Sequence, residues 1–95
     1  MLTPRSFENL EEAPAELGAA LEALWWLRHG NWDQAHKCVQ AHEGDADCDW
    51  VHAHLHRQEG DLSNAGYWYR RAGRAIPDVA LEEEWRRIAT AMLSK

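Results

Sequence analysis

Three observations on this sequence predict an all-α fold, five antiparallel helices behind a short N-terminal extension. Ala, Leu and Glu, which form helices readily, fill long stretches of it. Apolar residues return at intervals of three and four, the spacing of one helix face. Glycines followed by Asn or Asp punctuate these stretches, and there is no alternating β-branched run or hairpin signal. The 95 residues make one domain, residues 14–95, preceded by the extension 1–13. A chain this short has a small core, which six tryptophans enlarge, since each aromatic buries roughly 150–250 Å².

Taken in order, residues 1–13 lie between Pro4 and Pro14 and offer Phe7 and Leu10 as anchors on the body. Pro14 suits the first turn of a helix, where a missing N–H costs nothing. The helix that follows, about 15–29, carries Leu17, Ala20, Leu21, Leu24, Leu27 and Arg28 on one face, and Trp25 and Trp26 widen it. So wide an apolar arc is packed on two sides. Gly30 ends it and Asn31 caps the next, in which Trp32, Ala35, Val39 and His42 form a weaker stripe. Residues 43–47 make a polar loop from which Asp45 or Asp47 caps a third helix, about 48–59. Trp50, Val51, His54, Leu55 and Gln58 face one way from it, and Cys48, His52, Ala53 and His56 another. Gly60 stops it. Asp61 or Ser63 caps a fourth helix, about 62–74, with Leu62, Ala65, Trp68, Tyr69, Ala72 and Ile76 inward. Pro77 breaks the chain and Asp78 caps the fifth helix. There Leu81, Trp85, Ile88, Ala89 and Met92 oppose a wet face of three glutamates and two arginines, with Glu82–Arg86 and Glu83–Arg87 pairs at i,i+4.

Composition narrows the function. The formal net charge is −6. Nucleic acids and anionic membranes attract basic footprints, so neither is an expected partner. No apolar run approaches the roughly 18 residues of a membrane span. The opening MLTPRSFENLEEAP has no basic-then-apolar order and is too acidic for a transit peptide, so a cytoplasmic location is expected. Cys38 and Cys48 then stay reduced, as small apolar residues.

The turn Gly30-Asn31-Trp32-x-x-Ala35 recurs thirty residues later as Gly60-Asp61-Leu62-x-x-Ala65. Glycine permits the left-handed turn, Asn or Asp caps, Trp or Leu staples, and Ala lets helices approach. With Ala53, Tyr69, Ala72 and Pro77 at matching positions, this second unit resembles a tetratricopeptide repeat. The last helix resembles an incomplete third repeat through Trp85, Ile88, Ala89 and Met92. The first unit departs from the pattern: it has Glu22 where an apolar residue is usual, no closing proline, and a period short of the family's 34. The stretch HAHLHRQEGDLSNAGYWYRRAGR is also similar to small uncharacterised bacterial proteins, which implies no activity. The resemblance covers residues 15–93. It implies a short array of helical hairpins whose concave groove presents Leu17, Ala20, Leu24, Leu27 and Arg28 from one unit, and Trp50, His54, Arg57 and Gln58 from the next.

That groove suits a peptide with apolar anchors and an acidic group, which makes the expected function a non-enzymatic protein-interaction module or adaptor. The partner-binding residues would be Trp50, His54, Arg57, Gln58, Arg28 and Leu24. The competing reading fills the groove with residues 1–13 or makes it core. Self-association into a homodimer through exposed tryptophans is the alternative function. Arg70, Arg71 and Arg74, beside Tyr67 and Trp68, are a candidate patch for an acidic partner, or else they answer the helix dipole. Cys48, His52 and His56 recur every four residues, but Cys48 and His56 are about 12 Å apart along a helix, too far to share an ion. Ala53 replaces the glutamate of a zincin motif. His52 and His56 alone form an HxxxH pair able to hold Zn²⁺, so a His-rich metal-binding protein is the least favoured alternative function, and packing histidines are expected instead. Cys38 with His42 is the nearest approach to a catalytic pair, and nothing beside it supplies an oxyanion hole. No phosphate loop or cofactor motif is present, and neither cofactor nor enzymatic activity is expected.

Overall fold

Two turns of the same build organise the chain. In the computed structural model, which describes residues 2–95, Gly30 and Gly60 have φ of +81° and +86°, the left-handed region that a Cβ disfavours. The same two bonds close the helix before each. Gly30 and Asn31 N–H donate to the carbonyls of Leu27 and Trp26, and Gly60 and Asp61 N–H to those of Arg57 and His56. Asn31 and Asp61 then cap the next helix, accepting from the N–H groups of Gln34 and Asn64. Each such cap is worth ~1 kcal/mol. Ala35 and Ala65, four residues on from each cap, are buried.

The turns join α2 (Ala19–Arg28) to α3 (Trp32–Gln40), and α4 (Ala46–Gln58) to α5 (Leu62–Ala72). A short helix, α1 (Pro4–Glu8), precedes these hairpins and α6 (Leu81–Leu93) follows them. The architecture is all-α, six helices with no strand among the described residues, in a body of 33 × 26 × 24 Å. Helices α2, α4 and α6 pack on one another, α3 lies against α2 and α4, and α1 closes one end against α2 and α6. Helix α5 lies along α4 and reaches α6 through the Tyr69 hydroxyl, which donates to Glu84.

Several boundaries differ from the sequence expectation. The extension contains a true helix, capped by Thr3 and Ser6 in a reciprocal box. Its Phe7 is fully buried, which contributes about 1.5–3 kcal/mol. The helix expected from Pro14 begins at Ala19. Pro14 leads only a 3₁₀ turn, Ala15–Leu17, and Gly18 at φ +101° lies outside the helical region. Of the alternative caps, Asp45 and Asp61 act. Asp78 does not cap α6, which starts at Leu81 after Ala80. The guanidinium of Arg57 donates to the Val79 carbonyl in the segment just before the helix.

The last helix is the largest departure. It does not extend the array beyond α5; it turns inward across α2 and α4. Trp32, after the first turn, is half-buried and donates from Nε1 to the Leu55 carbonyl of α4 at 3.0 Å. Its counterpart Leu62 has no following helix to staple and is 66% exposed, and Ile76 is 63% exposed. Both were expected inward.

Candidate functional site

Helix α4 carries most of the chemistry, because Cys48 through His56 are all buried. On the side turned to α6, His54 Nδ1 lies 2.7 Å from Glu84 Oε1, and Arg57 Nη1 donates to the same oxygen at 2.9 Å. The Tyr69 hydroxyl donates to the other oxygen. Glu84 is 2% exposed. Burial alone would raise its pKa, but the hydrogen bonds from His54, Tyr69 and Arg57 hold it below the usual carboxylate range. Burial, and then the facing Glu84 carboxylate, push the Tyr69 phenol up. The sequence reading put Glu84 on the wet face with its neighbours. Its spacing, three residues after Leu81 and four before Ile88, carried the correct signal.

The expected groove residues therefore sit in or at the edge of the interior. Leu24 and His54 are almost completely covered, and Trp50 is buried beneath the Arg74 guanidinium, 3.6 Å from its ring. The Leu24 carbonyl accepts from Trp85 Nε1 at 3.1 Å. Arg28 is half-buried. It grips Glu82 through both terminal nitrogens at 2.7 and 3.0 Å and lies 3.8 Å over the Trp85 ring. Its Nε is 3.0 Å from Glu8 but out of hydrogen-bond alignment. Arg57 is half-buried, and Gln58 alone of the six is exposed. Helices α1 and α6 pack over these residues, with Phe7 against Trp85, α1 on α2 and α6, and α6 on α2 and α4. The N-terminal anchors act through the backbone too: Trp25 Nε1 donates to the Leu10 carbonyl at 3.0 Å.

On the opposite side of α4, His52 and His56 meet His36 of α3. One ring nitrogen from each of the three lies within 4.8 Å of the others. Cys48, expected on the same stripe, is not among them; it lies one turn before His52. Burial and the carboxylates of Asp45, Asp47 and Asp49 push its thiol up to about 12. The Cys38 thiol is pushed up to about 11 by burial and by Glu22 beside it, the reverse of what an activated nucleophile needs. Residue His36 was missed because its stripe partner on α4 is sixteen positions away in sequence.

The outer side of α5 is the third region. Tyr67, Arg70 and Arg71 are exposed there, and Arg74 and Ile76 follow. The Arg71 guanidinium reaches Tyr67 Oη at 3.1 Å and lies 4.9 Å over Trp68. Arg70 and Arg74 make no ion pair among the described residues. Four tryptophans are buried, and Trp26 and Trp32 are half-buried.

No protein family, curated protein or solved structure matches this chain. No helix among the described residues is long and apolar enough to cross a membrane.

Proposed function

We propose that this chain is a non-enzymatic interaction domain that holds an acidic, apolar-anchored segment of a partner protein against the outer face of α5. The observation that carries this reading is the face left vacant when α6 turns inward. Among the described residues, three of the four large apolar side chains that are exposed, Leu62, Tyr67 and Ile76, belong to α5 and the segment after it. They share that surface with Arg70, Arg71 and Arg74; Arg71 faces Asp49 of α4 at 3.8 Å, and no carboxylate occurs in the segment itself between Asp61 and Asp78. Arginine and tyrosine beside exposed aliphatic groups make the usual anchors of a protein interface. An open groove of about 680 Å³ adjoins this face, lined by Trp50, Arg74, Ile76, Pro77 and Arg87 together with Asp78 and Glu84. Two copies of so basic a face repel, which favours an acidic partner over a second copy. On this reading the tetratricopeptide-like pattern of residues 15–93 describes an array whose third unit closes the groove instead of lengthening the stack. A partner on the α2–α4 side would first have to displace α6.

The test is titration of a labelled Asp/Glu-rich peptide carrying one leucine. Arg70→Glu with Arg74→Glu should weaken binding more than tenfold, and Ile76→Ala severalfold, with the helical circular dichroism unchanged. Added salt should weaken the wild-type complex. Equal binding by the charge-reversed protein would refute the reading.

A further inference from the structure

We propose that His36, His52 and His56 form a binding site for a divalent first-row transition cation, zinc foremost, at the contact of α3 and α4. The argument starts from helix geometry. Positions four apart lie one turn apart on one face, so His52 and His56 stack with ring centroids 4.9 Å apart. The α3 helix packs against that face and brings His36, with centroids 4.8 Å from His52 and 5.3 Å from His56. Zn–N bonds of about 2.0–2.1 Å in a tetrahedron place ligand nitrogens about 3.3 Å apart. The nitrogens here lie within 4.8 Å of one another, and His36 Nε2 is already 3.0 Å from His52 Nε2. Small rotations of the rings close the remainder.

The surroundings favour a ligand set over plain packing. His56 Nδ1 is 2.7 Å from Glu59 Oε1. That contact places the ring proton on Nδ1 and leaves the lone pair on Nε2, as carboxylates do behind metal-bound histidines. Tryptophans hold the other two rings. Trp32 stacks on His36 at 4.9 Å and 11°, and Trp68 on His52 at 3.9 Å and 16°. His52 is 2% exposed, its Nδ1 has no hydrogen-bond partner, and its Nε2 meets only another imidazole. A cation enters past His36, the only partly exposed member. The proton between His36 and His52 then moves to a far ring nitrogen, with no net change in protonation. Glu59, Glu43 and Asp33 bear on the cluster with favourable charge, and Arg71, beyond Trp68, opposes them. Three imidazoles leave one tetrahedral position for water or an exogenous ligand. Imidazole sets select Zn, Cu, Ni and Co over Mg and Ca.

The test uses tag-free protein and the ions Zn²⁺ and Co²⁺ alone. Equilibrium dialysis should find one Zn²⁺ per chain, unfolding temperature should rise with added Zn²⁺, and Co²⁺ should show the visible bands of a tetrahedral site. His36→Gln, at the most exposed ligand, should abolish those bands and weaken Zn²⁺ by more than tenfold. Glu59→Gln should weaken it by about 10- to 100-fold without removing a ligand. His42→Gln, outside the cluster, should bind as wild type does. Absence of stoichiometric Zn²⁺ on the wild-type chain overturns the site, as does undiminished binding by His36→Gln. If His36→Gln does not fold, the Glu59→Gln affinity decides: a wild-type value overturns the proposal.

Discussion

The two sides of α4 place the same residue type in opposite circumstances. Toward α6, His54 meets a carboxylate: Glu84 accepts from His54, Arg57 and Tyr69, and every donor at that centre faces an anion. Toward α3, His36, His52 and His56 meet chiefly one another, and the nearest carboxylate, Glu59, reaches only His56. The difference teaches what each centre is for. A buried anion ringed by donors is internally complete and locks α4, α5 and α6 together. The imidazoles on the other side bond chiefly to one another, and on the proposal above a cation would complete them.

Substitutions can break or sharpen this contrast. The largest effect belongs to Glu84→Ala, which leaves Arg57, His54 and Tyr69 with no acceptor beneath the surface. Loss of one partner of a buried charge pair costs about 3–5 kcal/mol, to be read from urea unfolding. Acidification acts on the same centre more mildly. The Glu84 pKa is lowered on folding, so its stabilising contribution is fully present above the unfolded value of about 4.5 and is lost as pH falls through the lower folded value. Wild-type stability should therefore fall below about pH 4.5, and Glu84→Gln should flatten that acid limb in a pH series of unfolding curves. The smallest effect is expected at the other centre. His52→Leu in metal-free protein removes a ring whose Nδ1 has no partner, and His36 keeps access to water. The cost should be about 1 kcal/mol or less. A loss as large as that of Glu84→Ala would show that the two sides are equivalent and would end the contrast.

Local signals in the sequence were read well where the physics is local. The Gly30 and Gly60 turns, the Asn31 and Asp61 caps, the buried Ala35 and Ala65, and the Glu82–Arg86 and Glu83–Arg87 pairs all stand as their spacing implies. The misreadings share another cause. Glu84 was assigned by the run of glutamates around it, although burial followed its position between Leu81 and Ile88. His36 belongs to a cluster because α3 crosses α4, and no spacing within one helix encodes that crossing. Leu24, His54 and Trp50 were placed on an open groove because a helix face shows that it wants a partner without naming which one.

By itself the sequence determined that this protein is built of helices, where most of them begin and end, and which turns reverse the chain. These follow from backbone sterics, capping and apolar period, all settled within a few residues. Only the tertiary structure decided where α6 lies. An amphipathic helix after a proline can cover α5 or cross α2 and α4 with the same stripe of Leu81, Trp85, Ile88 and Met92. The second course buries Trp85, Ile88 and Met92 of that stripe and supplies Glu84 to His54, Arg57 and Tyr69. Long-range complementarity of charge and shape made that choice, and it left the outer face of α5 open.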